Sequence, residues 1–351
     1  MMTSVFKYAY PNAKIRAMKG LLLSEETFQA LLQTQTFEDM VHVLQTTSYA
    51  EAIRLANPAA LTVPVFTTIL YKQLFHDYEK TIAALHGVLQ DFFILFYQKY
   101  QLINLKTILR GNFSHTPTHA TAALLLPSSR HTLFDQAALL QIQNITQTIE
   151  KLQGSFFEYP LNRALHRFET EQEFFPLEMA LDLHYHQTLW EKVEKLSGLE
   201  KKMAADILGR WTDILNICWI IRFKEQYHFA VEEILNYTIH HGYAFNLAKR
   251  RQLAEAANVE EILAALRNSP YGKELADDLP LNTLHIHLYR QLVKQLRKFF
   301  AGDPFQIGSI LGYLLLKEIE VLDLITLAEA KRYGFSAEQS QLYTIHNSQN
   351  T

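Results

Sequence analysis

PVFTTILYKQLFHDYEKTIAALHGVLQDFFILFYQKYQLIN, residues 64–104, decides the fold class. Within it Phe66, Leu70, Leu74, Tyr78, Ile82, Leu85, Leu89, Phe92, Phe96, Tyr100 and Ile103 recur at steps of three and four. That spacing lines one side of a helix, or of two helices broken near Gly87, rather than the two-residue alternation of a half-buried strand. Pro64 opens the stretch where a first helical turn tolerates proline, because an N–H there has no intrahelical acceptor to lose.

The same plan is met three times. Pro64 leads to Asn104 and Pro176 to Asn216 over 40 residues each, and Pro280 to Asp323 over 43. Ahead of each proline, Phe37, Met40, Leu44, Tyr49 and Ile53 correspond to Ile145, Thr148, Leu152, Phe157 and Leu161, and to Val259, Ile262, Leu266, Tyr271 and Leu275. A unit of this length exceeds the 20–50 residues of solenoid repeats, so each copy is long enough for a core of its own. The expectation is an all-α chain of three similar lobes, 1–115, 116–228 and 229–351, related by pseudo-threefold symmetry. Such a body suits gripping something on its axis.

Composition narrows the function. With 48% hydrophobic and 20% charged residues over 351 positions, the chain is globular rather than disordered. A net charge of −3 argues against nucleic-acid binding, which calls for a basic excess. The single cysteine, Cys218, lies between Ile217 and Trp219, allows no disulfide framework and reads as a small buried filler in a reducing cytoplasm. Residues 1–10 lack the apolar core of a secretion signal. The richest apolar runs, 92–97 and 217–221, are far too short to span a bilayer, so any membrane connection is expected to go through a partner.

Punctuation is sparse. Lys19-Gly20 and Arg110-Gly111 pair a cation with a glycine, as helix C-termini favour, and Lys331, Arg332 and Gly334 do so more loosely. Ser336 with Gln339 suggests a capping box. Residues 112–130, rich in Thr, Pro and Ser, read as a surface loop separating the first two lobes, with shorter connectors at 57–64 and 277–280.

No phosphate loop, dinucleotide fingerprint, H-E-x-x-H or nucleophile elbow occurs. One cysteine excludes a Cys-based zinc site. His184 with His186, and His285 with His287, are two residues apart, which sends their side chains to nearly opposite helix faces and disfavours chelation. No catalytic residue, metal or cofactor is therefore expected. What recurs is Asn or Asp followed by cations: Asn12 with Lys14 and Arg16, Asn104 with Lys106 and Arg110, Asn216 with Arg222, Asp323 with Lys331 and Arg332. These groups either bond backbone where helices meet and complement helix C-termini, or form a symmetric ring of polar contacts for a central partner.

The residues themselves resemble a known family. Residues 10–22 (YPNAKIRAMKGLL), 104–111 (NLKTILRG) and 216–224 (NICWIIRFK) are similar to three hallmark stretches of the C-type central-rotor component of archaeal and bacterial A/V-type rotary ATPases, related to the d-type component of the eukaryotic vacuolar enzyme. Residues 310–334, with YLLLKEIE at 313–320 and EAKRYG at 329–334, are similar to the family's C-terminal stretch. The likeness covers nearly the whole chain.

It implies a funnel of three helical lobes around a cavity, without catalysis of its own. The wide mouth would receive the central stalk, formed by the coiled-coil D component with its F partner, and the other face would rest on the membrane rotor ring of c-type (proteolipid) subunits. The protein would be cytoplasmic, peripheral to the membrane through the complex, and would support ion transport. Asn12, Lys14, Arg16, Asn104, Lys106, Arg110, Asn216, Arg222, Lys331 and Arg332 are the expected partner contacts. Two other classes share parts of this reading: a free-standing helical scaffold, and a metal-dependent hydrolase with converging histidines and carboxylates.

Overall fold

The computed structural model describes residues 2–57, 61–272, 275, 279–303 and 305–346. The connectors expected at 57–64 and 277–280 lie partly outside them. Helices follow one another throughout: α1 (Met2–Lys19), α2 (Glu25–Gln33), α3 (Phe37–Leu44), α4 (Ala50–Leu55), α5 (Val63–Ile82), α6 (Gly87–Tyr97), α7 (Lys99–Phe113), α8 (Thr118–Ala123), α9 (Gln136–Leu140) and α10 (Ile145–Lys151). Then come α11 (Glu158–Glu171), α12 (Phe175–Glu194), α13 (Gly198–Glu225), α14 (Val231–Asn236), α15 (Leu247–Glu255), α16 (Val259–Arg267), α17 (Leu284–Lys298), α18 (Ile307–Arg332) and α19 (Ala337–Tyr343). Among the described residues there is no strand, so the all-α class expected from the sequence holds.

The contacts divide the chain into two compact units. Unit 1 comprises 1–84, 197–236 and 240–351, and unit 2 comprises 85–196 and 237–239. In unit 1, α18 is the core helix: every residue from Ile307 to Lys317 is buried, and α1, α5, α13 and α17 all pack on it. Residues 307–316 are apolar on nearly every side and have no face to give to water, which is why this part of the helix is surrounded. Each fully buried Leu or Ile on it contributes roughly 1.5–3 kcal/mol. In unit 2, α12 packs on α6, α7 and α11, while α10 rests on α7 and α11.

A local pattern recurs three times. Thr36, Asn144 and Asn258 cap α3, α10 and α16 by accepting from the N–H of Asp39, Gln147 and Glu261. At the end of each helix stands a leucine, Leu44, Leu152 or Leu266, whose carbonyl accepts from the N–H three residues on at 3.0–3.1 Å. The hydroxyl there, of Thr47, Ser155 or Ser269, accepts at 3.2 Å from the N–H of the aromatic that follows by two: Tyr49, Phe157, Tyr271. These three rings are buried, as are Ile53, Leu161 and Leu275, four residues further on.

Local expectations fare unevenly. α5 ends and α6 starts around Gly87 at φ +60, as the glycine suggests, and Gly334 sits at φ +72 just past α18. The capping box of Ser336 and Gln339 forms. Pro64 and Pro176 lie in first turns, but Pro280 caps a short 3₁₀ turn, Leu281–Thr283, ahead of α17. Arg110-Gly111 does not end a helix: α7 continues to Phe113, and a Cβ on Gly111 would fall 2.5 Å from the Thr121 hydroxyl. Gly111 is there for close approach of α8, which itself forms inside the stretch expected to be loop.

Candidate functional site

Three long helices each carry one buried polar group that holds a following loop by its backbone. On α7, the Asn104 carbonyl accepts from Leu126 N–H at 2.8 Å, and its amide donates to Leu126 O at 3.1 Å and to Gln136 Oε1 at 2.7 Å. On α13, Asp213 accepts from the N–H groups of Ala244 and Phe245 at 2.6 and 3.2 Å and from the Tyr271 hydroxyl at 2.8 Å. On α18, Asp323 accepts from the N–H groups of Ile345 and His346 at 2.6 and 2.8 Å, with His346 Nδ1 at 2.7 Å. A buried carboxylate needs such donors and a compensating cation. Arg250 lies within electrostatic reach of Asp213 and Arg290 of Asp323, whereas neutral Asn104 has neutral Gln136.

Sequence reading pairs Asn216 with Asn104 and Asp323, but the group that acts on α13 is Asp213. The intervals carry the signal: 109 residues from Asn104 to Asp213 and 110 from Asp213 to Asp323. Burial raises the Asp213 pKa, against the hydrogen bonds from Ala244, Tyr271 and Phe245 and the charge of Arg250. The loop lies so close that a Cβ on Gly242 would meet Asp213 Oδ1 at 2.0 Å.

Cations close the ends of neighbouring helices. Lys331 Nζ donates to Leu32 O at 2.8 Å and Lys224 Nζ to Ala254 O at 2.7 Å. Both carbonyls stand five residues before the start of the next capped helix, α3 or α16, so this is one device used twice. Lys14 Nζ likewise donates to Lys80 O near the end of α5, at 2.9 Å. A cation among unpaired C-terminal carbonyls gains hydrogen bond and dipole together. Lys331 is buried, and burial lowers its pKa.

The ten expected partner contacts thus separate by environment. Asn12, Asn104, Asn216 and Lys331 are buried. Lys106 is half-buried and donates to both oxygens of Asp182 at 2.7 and 2.9 Å, and Arg110 pairs with Glu178, both pairs between α7 and α12. Burial raises the Asp182 pKa and Lys106 opposes it. Lys14 is engaged with α5. Exposed are Arg110, Arg16, Arg222 and Arg332, the last ion-paired with Glu329. Sequence reading misses Asp213, Asp182, Glu178, Lys224 and Arg290, because nothing local in the sequence tells a carboxylate aimed at a loop from a solvated one.

The histidines form no centre. His186 is buried and held neutral, its pKa driven down to about 3 by burial and then by Lys106 and Lys99. Among the described residues no group of three or more His, Cys, Asp or Glu is placed to hold a metal, and no helix is long and apolar enough to cross a membrane. Cys218 is half-buried, and burial pushes its thiol up to about 11, which leaves it unreactive. The arrangement organises helices and loops.

Comparison with known proteins agrees with that character. Residues 11–343 match the family model described as ATP synthase (C/AC39) subunit. The chain is 26% identical over 344 residues to the C-type subunit of the A-type ATP synthase of Methanosphaera stadtmanae, covering 96% of this chain and 87% of that protein. It is 25% identical over 338 residues to the protein of the same name from Methanothermobacter thermautotrophicus, covering 93% and 85%. With that of Archaeoglobus fulgidus the identity is 24% over 351 residues, covering 97% and 98%.

Proposed function

Because the chain belongs to the ATP synthase (C/AC39) subunit family, we propose that it is a non-catalytic rotor subunit of an A/V-type ATPase, a socket that joins the central stalk to the membrane ring of c-type subunits. The stalk partner is the coiled-coil D component together with F. The protein stands in the cytoplasm at the membrane, held there by the complex, and passes torque that supports ion transport. Three lobes with pseudo-threefold symmetry, 1–115, 116–228 and 229–351, surround the stalk's end in a funnel.

The observation that carries this reading is the family match across residues 11–343 together with a scaffold in which Asn104, Asp213 and Asp323 each tie a loop to a long helix. A mechanical joint must transmit force without unwinding. Close-packed helices deform little, and loops tied to helix cores by two or three hydrogen bonds resist being pulled away. Contacts spread over several lobes add through effective concentration, so each one need be only modest.

Arg16 and Arg222 are the exposed cations from the expected set for which the described residues show no ion pair, and Arg222, in the last turn of α13, is the contact proposed for the stalk. The test is capture of a purified D–F stalk complex by the purified chain. Binding by the wild type, weakened about fivefold or more when Arg222 is changed to Glu, supports the assignment. Wild-type protein that captures no stalk component overturns it in favour of a free-standing scaffold.

A further inference from the structure

One end of unit 1 gathers exposed cations that form no ion pair among the described residues. Three contacts place α1 across the ends of other helices: Lys7 pairs with Glu200 in the first turn of α13 at 2.6 Å, Lys14 reaches Lys80 O near the end of α5, and Lys19 lies 4.5 Å from the Phe300 ring just past α17. The first 24 residues hold four cations and no carboxylate. Around this strap Arg16, Lys19, Lys80, Lys202, Arg297 and Lys298 are exposed. Of the carboxylates near them, Asp303 accepts from Phe305 N–H and Glu200 is taken by Lys7 and Tyr8, while Glu25 and Glu26 open α2 just past the strap.

Helix dipoles explain only part of this. The C-termini of α1, α5 and α17 together amount to about −1.5 charges, less than the five cations at them. Lys202 sits in the opening turns of α13, where a cation opposes the dipole. The excess stands out against a chain of net charge −3. On α1 and just past its end, Tyr10 is 66% exposed and Leu21 59%.

We propose that this end of unit 1 is an adsorption face for anionic phospholipid headgroups. An acidic protein groove would want donors converging on a concavity. Here the six cations stand on four separate helix ends, spread as a broad negative surface would meet them, and an exposed Tyr and Leu supply the amphipathic and apolar groups that settle at a membrane interface. The inference rests on the rotary-subunit reading only for there being a membrane beside the protein. It assigns the chain a lipid contact of its own, in addition to contacts made through protein partners.

Sedimentation of the purified full chain with phosphatidylcholine vesicles, with and without phosphatidylserine, tests it. Binding to the anionic vesicles only, falling as salt is raised, is expected. Each removed cation should weaken it about fivefold, so Arg297→Gln with Lys298→Gln should cost more than tenfold. Arg16→Gln with Lys202→Gln provides a second pair should the first fold poorly, and Lys151→Gln with Arg163→Gln, exposed in unit 2, should leave binding unchanged. Equal binding to both vesicle types, binding to neither, undiminished binding by both patch variants, or salt-dependent capture of an acidic stalk or ring segment without any vesicle binding would overturn the proposal. Stalk capture is a separate readout, so failure here leaves the rotor reading standing, and the reverse also holds.

Discussion

Lys317 and Glu320 show what single residues decide. Both side chains are almost sealed from solvent, and their ion pair at 2.7 Å is completed by Tyr49, which accepts from Lys317 and donates to Glu320 at 2.7 Å each, and by Leu23 N–H at 2.6 Å. Removing one partner leaves a buried charge uncompensated. Lys317→Met is therefore expected to lose about 3–5 kcal/mol in urea unfolding, and adding Glu320→Gln should restore most of it, since the Gln oxygen still accepts from Leu23 N–H and its amide can donate to the Tyr49 hydroxyl that Lys317 no longer fills. A double variant no better than Lys317→Met would contradict this account. At this scale the sequence is partly legible. Tyr49, Phe157 and Tyr271 stand out as repeated positions and are buried, but the sequence points to Asn216 where Asp213 acts, because residue type and neighbourhood resemble a motif more closely than the partner that gives a side chain its role.

At the scale of elements, the pairing of α5 with α18 turns on Asp77, which accepts from the Tyr313 hydroxyl at 2.6 Å. Burial raises the Asp77 pKa, with Tyr313 and Lys317 pulling the other way. A carboxyl whose pKa is higher folded than unfolded is protonated more readily in the native state. Its contribution is fully present below the unfolded value near 4 and is lost as pH rises through the folded one. Relative to Asp77→Asn, whose amide oxygen still accepts from Tyr313, the wild type should lose stability as pH climbs from about 4. Parallel pH profiles from chemical denaturation would remove Asp77 from that role. Helix starts and breaks are largely readable from capping residues and from glycine at positive φ. Gly111 is not, since a glycine that ends a helix and one that admits a neighbour look alike until the neighbour, Thr121, is in place.

For the whole molecule, the first helices are completed by the last long one. Tyr49 and Leu23 find their acceptor, and Asp77 its donor, only on α18, nearly three hundred residues away for Leu23. The segment 21–82 therefore depends on residues 307–332 for its polar satisfaction, a long-range closure that local folding cannot supply. Glu320→Ala should accordingly speed amide hydrogen exchange across residues 37–55 while residues 145–171, with the same local turn, exchange as before. Uniform acceleration in both would mean global destabilisation instead. The chain's near-neutral total charge likewise hides a basic end that emerges once α1 is laid across α5, α13 and α17. Helix period, the threefold recurrence of capped helix, turn and buried aromatic, and family membership are all contained in the order of residues, because each depends on neighbours a few positions apart or on likeness along the chain. Which carboxylates hold loops, which cations close other helices and where charge accumulates are decided by tertiary structure alone, because hydrogen bonds and fields act between groups that only folding brings within a few ångströms.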